Sequence, residues 1–140
     1  MKITICGSVK FIEEMKNAKL ILERGGHSIL LPASAELNQD KSFWNRMKSG
    51  DITKYASMKA ERMRGHFDKI KSSEAIIVLN YDKDGKKNYI GINTLMEMAV
   101  AFDCGKKIFV LNPVSENDPY YEETVSMSTV CLNGRLENLK

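Results

Sequence analysis

Short apolar runs alternate with longer amphipathic segments along this chain. Four of the runs have no internal polar alternation, a feature of strands buried on both faces of a parallel sheet; they comprise residues 2–6, 27–31, 74–79 and 107–111. Between the first two runs, apolar residues recur at helical spacing in Phe11, Met15, Ala18 and Leu22. This order of elements predicts a parallel sheet with helices on both faces and right-handed crossovers.

The pattern is typical of an α/β, Rossmann-like (flavodoxin-like) sheet of four or five strands. The short fifth strand is predicted at residues 129–132. Two further helix faces are predicted, one formed by Ala56, Ala60, Met63, Phe67 and Ile70 and the other by Leu95, Met98, Ala99 and Phe102. Residues 33–53, which include Phe43 and Trp44, lack clear periodicity, so we expect a lid or an irregular insertion there.

The length and composition narrow the class of protein. A chain of 140 residues suits one core, so we expect residues 1–140 to form a single domain. A hydrophobic content of 43% exceeds that of a long disordered chain. The longest apolar run, residues 75–79, is far too short to span a membrane, and the N-terminus does not fit a signal peptide. We therefore expect a cytoplasmic protein with no membrane partner.

Charge and cysteine content add two expectations. The net charge of +3 does not by itself indicate a nucleic-acid partner. Residues 41–71, however, hold nine basic residues against three acidic ones, which indicates either phosphate binding or a solvated helix face. Cys6, Cys104 and Cys131 show neither metal-ligand spacing nor an even count, so we interpret them as reduced packing residues and expect no metal and no cofactor.

In an open parallel sheet, ligands bind beyond the carboxyl ends of the strands, where the topology reverses direction. The segments expected there follow the four main strands, namely Gly7-Ser8, residues 32–34, residues 80–82 and Asn112-Pro113. The helix that begins near Asn93 follows the third strand, so Glu97 is expected in the same crevice.

Glu97 is the principal candidate for catalysis, because the motifs of P-loop proteins, serine hydrolases and zinc proteases are missing from the sequence. At about 100° per residue, Glu97 lies opposite the apolar stripe of its helix. Its carboxylate could therefore face a ligand. Thr94 and Glu97 also fit a capping box, in which the glutamate only closes the start of the helix.

The segment from Gly91 to Ala101, followed by Gly105-Lys106 and an apolar strand, resembles the nucleoside 2-deoxyribosyltransferase superfamily, including its relatives that hydrolyse nucleoside monophosphates. In that family a small-residue segment, a glutamate at the start of a helix and a Gly-Lys pair before a strand recur together. Gly7-Ser8 after the first strand and residues 70–75 before the third look similar as well. The resemblance extends over most of the chain.

The resemblance implies that Glu97 is a nucleophile that attacks the anomeric carbon of a nucleoside and forms a covalent sugar–enzyme intermediate. Two positions depart from the family pattern. Transferases that act on free nucleosides have an aspartate six residues before the nucleophile, where this chain has Gly91, and a second aspartate where it has His66. His66, Asp68 or Asp82 could take over the missing role. Asp68 is the nearest carboxylate, although it could equally pair with Arg64 on the surface.

The candidate substrate-binding residues are Gly7, Ser8, Asn80, Tyr89, Gly91 and Asn93. Ser8 could bind a phosphate or sugar oxygen, or simply cap the following helix. Asn80 and Asn93 could hydrogen-bond a ribose or base, and Asn93 could instead be a helix cap. Tyr89, Phe43 and Trp44 could stack on a base, and Trp44 could instead be the hydrophobic anchor of a lid. In the monophosphate-cleaving relatives, a Gly-Ser-like turn at the position of Gly7-Ser8 contributes to phosphate binding.

Together these observations favour cleavage or transfer at the N-glycosidic bond of a nucleoside or nucleoside 5′-monophosphate. A non-catalytic nucleotide-binding module of the same fold is the alternative. A third interpretation, binding of RNA or DNA through residues 41–71, would require steep salt dependence. The family usually assembles into homo-oligomers, which implies that residues 130–135 complete the pocket of a neighbouring subunit.

Overall fold

Five parallel strands form the central sheet in a computed structural model that describes residues 1–140. The strands are β1 (Lys2–Cys6), β2 (Ser28–Leu30), β3 (Ala75–Val78), β4 (Lys107–Val110) and β5 (Val130–Cys131). Their order is β2-β1-β3-β4-β5, and each neighbouring pair is parallel. The α/β class, the parallel sheet and the short fifth strand predicted from the sequence are confirmed.

Six helices connect and cover the strands. They are α1 (Ile12–Arg24), α2 (Ala33–Glu36), α3 (Lys41–Lys48), α4 (Ile52–Lys71), α5 (Ile92–Asp103) and α6 (Tyr121–Met127). Short 3-10 helices lie at Val9–Phe11 and Leu136–Asn138. None of the helices combines the length and the apolar character needed to cross a membrane.

The sheet separates two apolar clusters, because successive side chains of a strand point to opposite faces. On one face, strand residues such as Ile5 and Ile77 pack against α1 and against leucines near the C-terminus. On the other face, Ile76 and Val78 pack against Ile70 of α4 and against α5. Helices therefore cover both faces, as the continuous apolar strands predict.

The segment 33–53 differs from the expectation of an irregular insertion, because it folds into α2, α3 and the start of α4. Aspartates stabilise the two later helix starts. The Asp40 carboxylate accepts a hydrogen bond from the Phe43 amide at 3.0 Å, and that of Asp51 accepts one from the Thr53 amide at 2.9 Å. Such caps satisfy amides that lack a partner in the first turn, which explains why short polar segments become helical here.

The buried face of α5 also differs from the prediction. Thr94, Met98 and Ala101 are buried, whereas Phe102 is 58% exposed and Ala99 is exposed. The helix is therefore rotated relative to the expected Leu95/Met98/Ala99/Phe102 stripe. This rotation brings Glu97 partly into the interior.

Candidate active site

A cavity of about 320 Å³ lies at the carboxyl end of the sheet, between the end of β1, the start of α5 and helices α2 to α4. The chain leaves β1 towards β2 on one side and returns to β3 on the other. The cavity is therefore at the point where the topology reverses, which is the usual ligand position in open parallel sheets. Gly7 brings the chain close to β3 at this point, since an added Cβ would lie 3.2 Å from the Leu79 carbonyl oxygen.

Three polar side chains from distant parts of the chain meet at the edge of the cavity. Glu97 from α5 and His66 from α4 line it, and Cys6 at the end of β1 lies next to both. The Cys6 Sγ atom is 3.5 Å from His66 Nε2, and His66 Nε2 is 3.6 Å from Glu97 Oε2. The Glu97 side chain is 17% exposed, but its Oε2 atom is buried and makes no hydrogen bond. We call these three residues the Cys6–His66–Glu97 cluster.

Burial alters the protonation of all three groups, because a low-dielectric environment disfavours the charged form. It raises the pKa of the Glu97 carboxyl to about 8, with the neighbouring Cys6 thiol opposing the shift. It lowers the pKa of His66 to about 4, and the positive charge of Lys69 adds to this effect. Burial and the nearby Glu97 carboxyl raise the pKa of Cys6 well above its usual value. Near neutral pH burial therefore favours the uncharged form of each of the three groups, which is unusual for a carboxyl group.

The capping-box interpretation of Glu97 is wrong. The N-cap of α5 is Gly91, which lies three residues before Thr94, and no side chain caps this helix. Thr94 is itself buried within the first turn. The Glu97 side chain therefore accepts no hydrogen bond from a backbone amide at the start of the helix, and its carboxyl group faces the cavity.

Most of the substrate-binding candidates line the cavity, namely Gly7, Ser8, Tyr89, Gly91 and Asn93. Ser8 also caps the 3-10 helix by accepting a hydrogen bond from the Lys10 amide at 3.2 Å. Asn93 is not a cap, because the helix begins before it.

Asn80 and Asp68 lie elsewhere. Asn80 is fully buried and uses its side chain to connect the loops that follow β3 and β4, since Nδ2 donates to the Asn112 carbonyl at 2.8 Å and Oδ1 accepts from the Asn112 amide at 2.9 Å. Asp68 is exposed on α4 and outside the cavity lining. These positions do not support substrate binding by Asn80 or catalysis by Asp68.

Tyr89 lies over Gly91. A Cβ atom added at Gly91 would be 2.9 Å from the Tyr89 hydroxyl oxygen, so a larger residue at position 91 would force the tyrosine to move. The backbone of Gly91 is in an ordinary extended conformation, with φ −83° and ψ 172°. Space for the tyrosine ring, rather than backbone freedom, therefore accounts for glycine at this position.

The cavity wall is strongly basic. Five cationic side chains line it, against the single carboxyl group of Glu97; they are Lys41, Lys48, Lys59, Arg62 and Lys83. Four of them belong to the basic segment 41–71, so part of that charge faces a ligand site rather than open solvent. Lys69 of the same segment has a structural role instead, donating to the Leu31 carbonyl at 2.7 Å.

Lys83 and Ser8 form a polar corner of the cavity. Lys83 Nζ donates to Ser8 Oγ at 3.0 Å and lies 4.8 Å from the centre of the Tyr89 ring. Partial burial lowers the pKa of Lys83, and repulsion from Lys41 adds to the shift. An anion bound at this corner would relieve that repulsion and accept charge-assisted hydrogen bonds.

Aromatic residues form another wall of the cavity. Trp44 and Tyr55 meet edge to face, with ring centres 6.0 Å apart. The Arg62 guanidinium lies 5.5 Å from the Trp44 ring, and the indole nitrogen donates to Ser34 Oγ at 3.2 Å. Such a wall offers flat apolar surface for a planar heterocycle. The ring centres of Phe43 and Trp44 are 5.4 Å apart, but Phe43 does not line the cavity.

The comparisons with known proteins agree with this architecture. No protein-family model matches the chain, and no curated protein matches it in sequence. Among solved structures, it is similar to the 2-deoxyribosyltransferase of Bacillus psychrosaccharolyticus, with a TM-score of 0.51 and 18% identity over 83% of this chain and 75% of that one. It is also similar to the CMP N-glycosidase of Clostridium botulinum, with a TM-score of 0.55 and 15% identity over 99% of this chain and 94% of that one.

The chain shares the fold of these two enzymes. Both neighbours are consistent with the resemblance to the nucleoside 2-deoxyribosyltransferase superfamily noted in the sequence. At such low identity the likeness establishes the fold alone, and any chemistry depends on the residues that line the cavity.

Proposed function

We propose that the protein cleaves, or transfers the sugar of, the N-glycosidic bond of a nucleoside 5′-monophosphate, with Glu97 as the nucleophile. The observation that carries this proposal is the position of the Glu97 carboxyl group. It is the only acidic group among the residues that line a basic cavity at the topological switch point of the sheet. The two structural neighbours are named for reactions of the same kind, nucleoside deoxyribosyl transfer and CMP N-glycoside cleavage.

In the proposed reaction, the Glu97 carboxyl group first loses its proton to solvent, and a carboxylate oxygen then attacks the anomeric carbon as the carbon–nitrogen bond breaks. The base leaves with the electron pair of that bond and takes up a proton, and the sugar remains as an ester of Glu97. Water or a second base then attacks the anomeric carbon and releases the carboxylate. Two displacements at one carbon give overall retention.

The surrounding residues support binding of a monophosphate. The phosphate would lie at the Ser8–Lys83 corner, where a hydroxyl and a partly desolvated ammonium group already converge. The base would lie along the aromatic wall or beside Tyr89. The Tyr89 hydroxyl lies where a side chain from position 91 would begin, so it is the proposed hydrogen-bond donor to the leaving base.

The direct test is to incubate the protein with a panel of nucleosides and their 5′-monophosphates and to detect released base by chromatography. We expect release from a monophosphate and loss of release in Glu97→Gln, with ligand affinity within about tenfold of wild type, because the amide keeps the shape but cannot attack. Glu61→Gln, on the exposed side of α4, is the matched control and should remain active.

Two results would contradict the proposal. Turnover that survives in Glu97→Gln would remove Glu97 as the nucleophile. Monophosphate binding without base release would instead favour the non-catalytic nucleotide-binding module.

A further inference from the structure

The Cys6–His66–Glu97 cluster combines three ligand types from three separate elements, β1, α4 and α5. One ligand atom from each, namely Cys6 Sγ, a ring nitrogen of His66 and a carboxylate oxygen of Glu97, lies within 4.8 Å of the other two. Their separation along the chain conceals this arrangement in the sequence. Cys6 and His66 are both buried, so the packing of the sheet fixes their positions.

Two of the three ligand separations fit a tetrahedral metal centre. A zinc ion with bonds of about 2.3 Å to sulfur and 2.0–2.1 Å to nitrogen holds those two ligand atoms about 3.5 Å apart, and holds nitrogen and oxygen ligands about 3.3 Å apart. The corresponding distances here are 3.5 Å between Cys6 Sγ and His66 Nε2 and 3.6 Å between His66 Nε2 and Glu97 Oε2. The third pair, Cys6 Sγ and a Glu97 carboxylate oxygen, lies within 4.8 Å.

The hydrogen bonding of the cluster is incomplete without a further partner. Glu97 Oε2 is buried and has no hydrogen-bond partner, which is costly for a polar atom. This atom lies 3.6 Å from His66 Nε2, so one cation placed between the three groups would contact both. A cation there would supply the missing partner.

We propose that the Cys6–His66–Glu97 cluster binds one thiophilic divalent cation of the zinc class, with a fourth coordination position open to the cavity. A thiol and an imidazole select such ions over magnesium or calcium, which prefer oxygen ligands. Binding replaces the thiol proton of Cys6, and any proton on the Glu97 carboxyl, with the metal; these protons pass to the solvent. The fourth position faces the cavity because His66 and Glu97 both line it.

One consequence rests on the proposed function. Coordination draws negative charge from the Glu97 carboxylate and holds the coordinating oxygen towards Cys6, so the group becomes a much weaker nucleophile for a sugar. The metal-bound form is therefore less active in N-glycosidic chemistry, and removal of the metal by a chelator increases turnover.

The test begins with metal binding alone, without substrate. The metal-free protein is titrated with Co²⁺, and binding is followed by the thiolate-to-cobalt charge-transfer absorption and by the intense visible bands of tetrahedral cobalt. Zn²⁺ affinity is then measured by competition with a chromophoric chelator. We expect one ion per chain and displacement of cobalt by zinc.

Matched variants locate the site. Cys6→Ser and His66→Gln should each weaken binding by about a hundredfold or more, since each removes a direct ligand. Cys131→Ser, Cys104→Ser and His27→Gln change the same residue types elsewhere and should leave affinity unchanged. Circular dichroism shows whether each variant is folded. If Cys6→Ser does not fold, the loss of metal affinity in His66→Gln locates the site.

Either of two results overturns the proposal: no cobalt binding at a several-fold excess of metal, or a charge-transfer band that persists in Cys6→Ser and disappears in Cys131→Ser. Because these measurements need no nucleotide, they stand whether or not the protein releases a base. If metal binds as expected but base release is absent, only the proposed function fails.

Discussion

The two faces of the sheet are packed with different sets of side chains. On the α1 face, 17 buried apolar residues form one continuous cluster that extends to Leu139 near the C-terminus. On the α4–α5 face, a smaller cluster of nine residues ends at the carboxyl edge of the sheet. There Cys6 belongs to the apolar cluster and at the same time contacts the polar side chain of His66.

This difference shows how a small domain separates stability from reactivity. The α1 face buries apolar area, which is the main favourable contribution to folding. The opposite face gives up some of that area to hold a carboxyl group and an imidazole ring away from water. Substitutions on the two faces should therefore affect different measurements.

The largest effect is expected from Ile77→Ala. Ile77 is fully buried on the α1 face, so truncation removes apolar contacts and leaves a cavity. The free energy of unfolding should fall by about 2–5 kcal/mol in chemical denaturation, while the affinity of the folded protein for a monophosphate stays unchanged. Val125→Ala, at a position that is 45% exposed, should change stability by less than about 0.5 kcal/mol. Equal losses in the two variants would contradict the packing described for this face.

Lys83→Met should produce the reverse pattern on the cavity side. Loss of the ammonium group beside Ser8 should weaken monophosphate binding by about ten- to a hundredfold, corresponding to about 1.5–3 kcal/mol, with little change in nucleoside affinity or melting temperature. Isothermal titration of a nucleoside and its monophosphate measures the difference. Lys86→Met is the control, because Lys86 lies 5.6 Å from the centre of the same tyrosine ring but outside the cavity lining. Equal weakening of both ligands would place the phosphate elsewhere.

Glu97→Met should affect stability and activity in opposite directions. The thioether keeps the length of the side chain and removes a buried oxygen that has no hydrogen-bond partner. We expect the free energy of unfolding of the metal-free protein to rise by about 1–3 kcal/mol while turnover is lost. Chemical denaturation in the presence of a chelator measures the change, and Glu61→Met on the exposed surface should be nearly neutral. A destabilised Glu97→Met variant would mean that the carboxyl group already has adequate hydrogen-bond partners in the wild-type protein.

The fold was predictable because its signals are local. Apolar runs identified the strands, and the Phe11/Met15/Ala18/Leu22 stripe identified α1, whose buried residues include the last three. Helix α3 was missed because it has no buried residue, so no apolar stripe marks it. Asp40 and Asp51, each directly before a helix start, were the available signals, since aspartate is a favoured N-cap.

The candidate site was only partly predictable. Glu97 and the Gly7-Ser8 turn were accessible from the sequence, because the order of strands places them at the carboxyl edge. The association of Cys6 and His66 with Glu97 was not, since it depends on how α4 and α5 are rotated against the sheet. Lys83 was missed because its Asp84-Gly85 turn is an ordinary loop signal, and the contact of Lys83 with Ser8 spans 75 residues.

The loop that carries Lys83 and Tyr89 is anchored at both ends to the loop that follows β4. At its start, Asn80 and Asn112 exchange side-chain and backbone hydrogen bonds, and near its end the Asn88 side chain donates to the Pro113 carbonyl at 2.7 Å. The conformational entropy of these residues is therefore lost when the chain folds rather than when a ligand binds. A ligand that enters the cavity finds both side chains already in place, so more of its interaction energy is expressed as affinity.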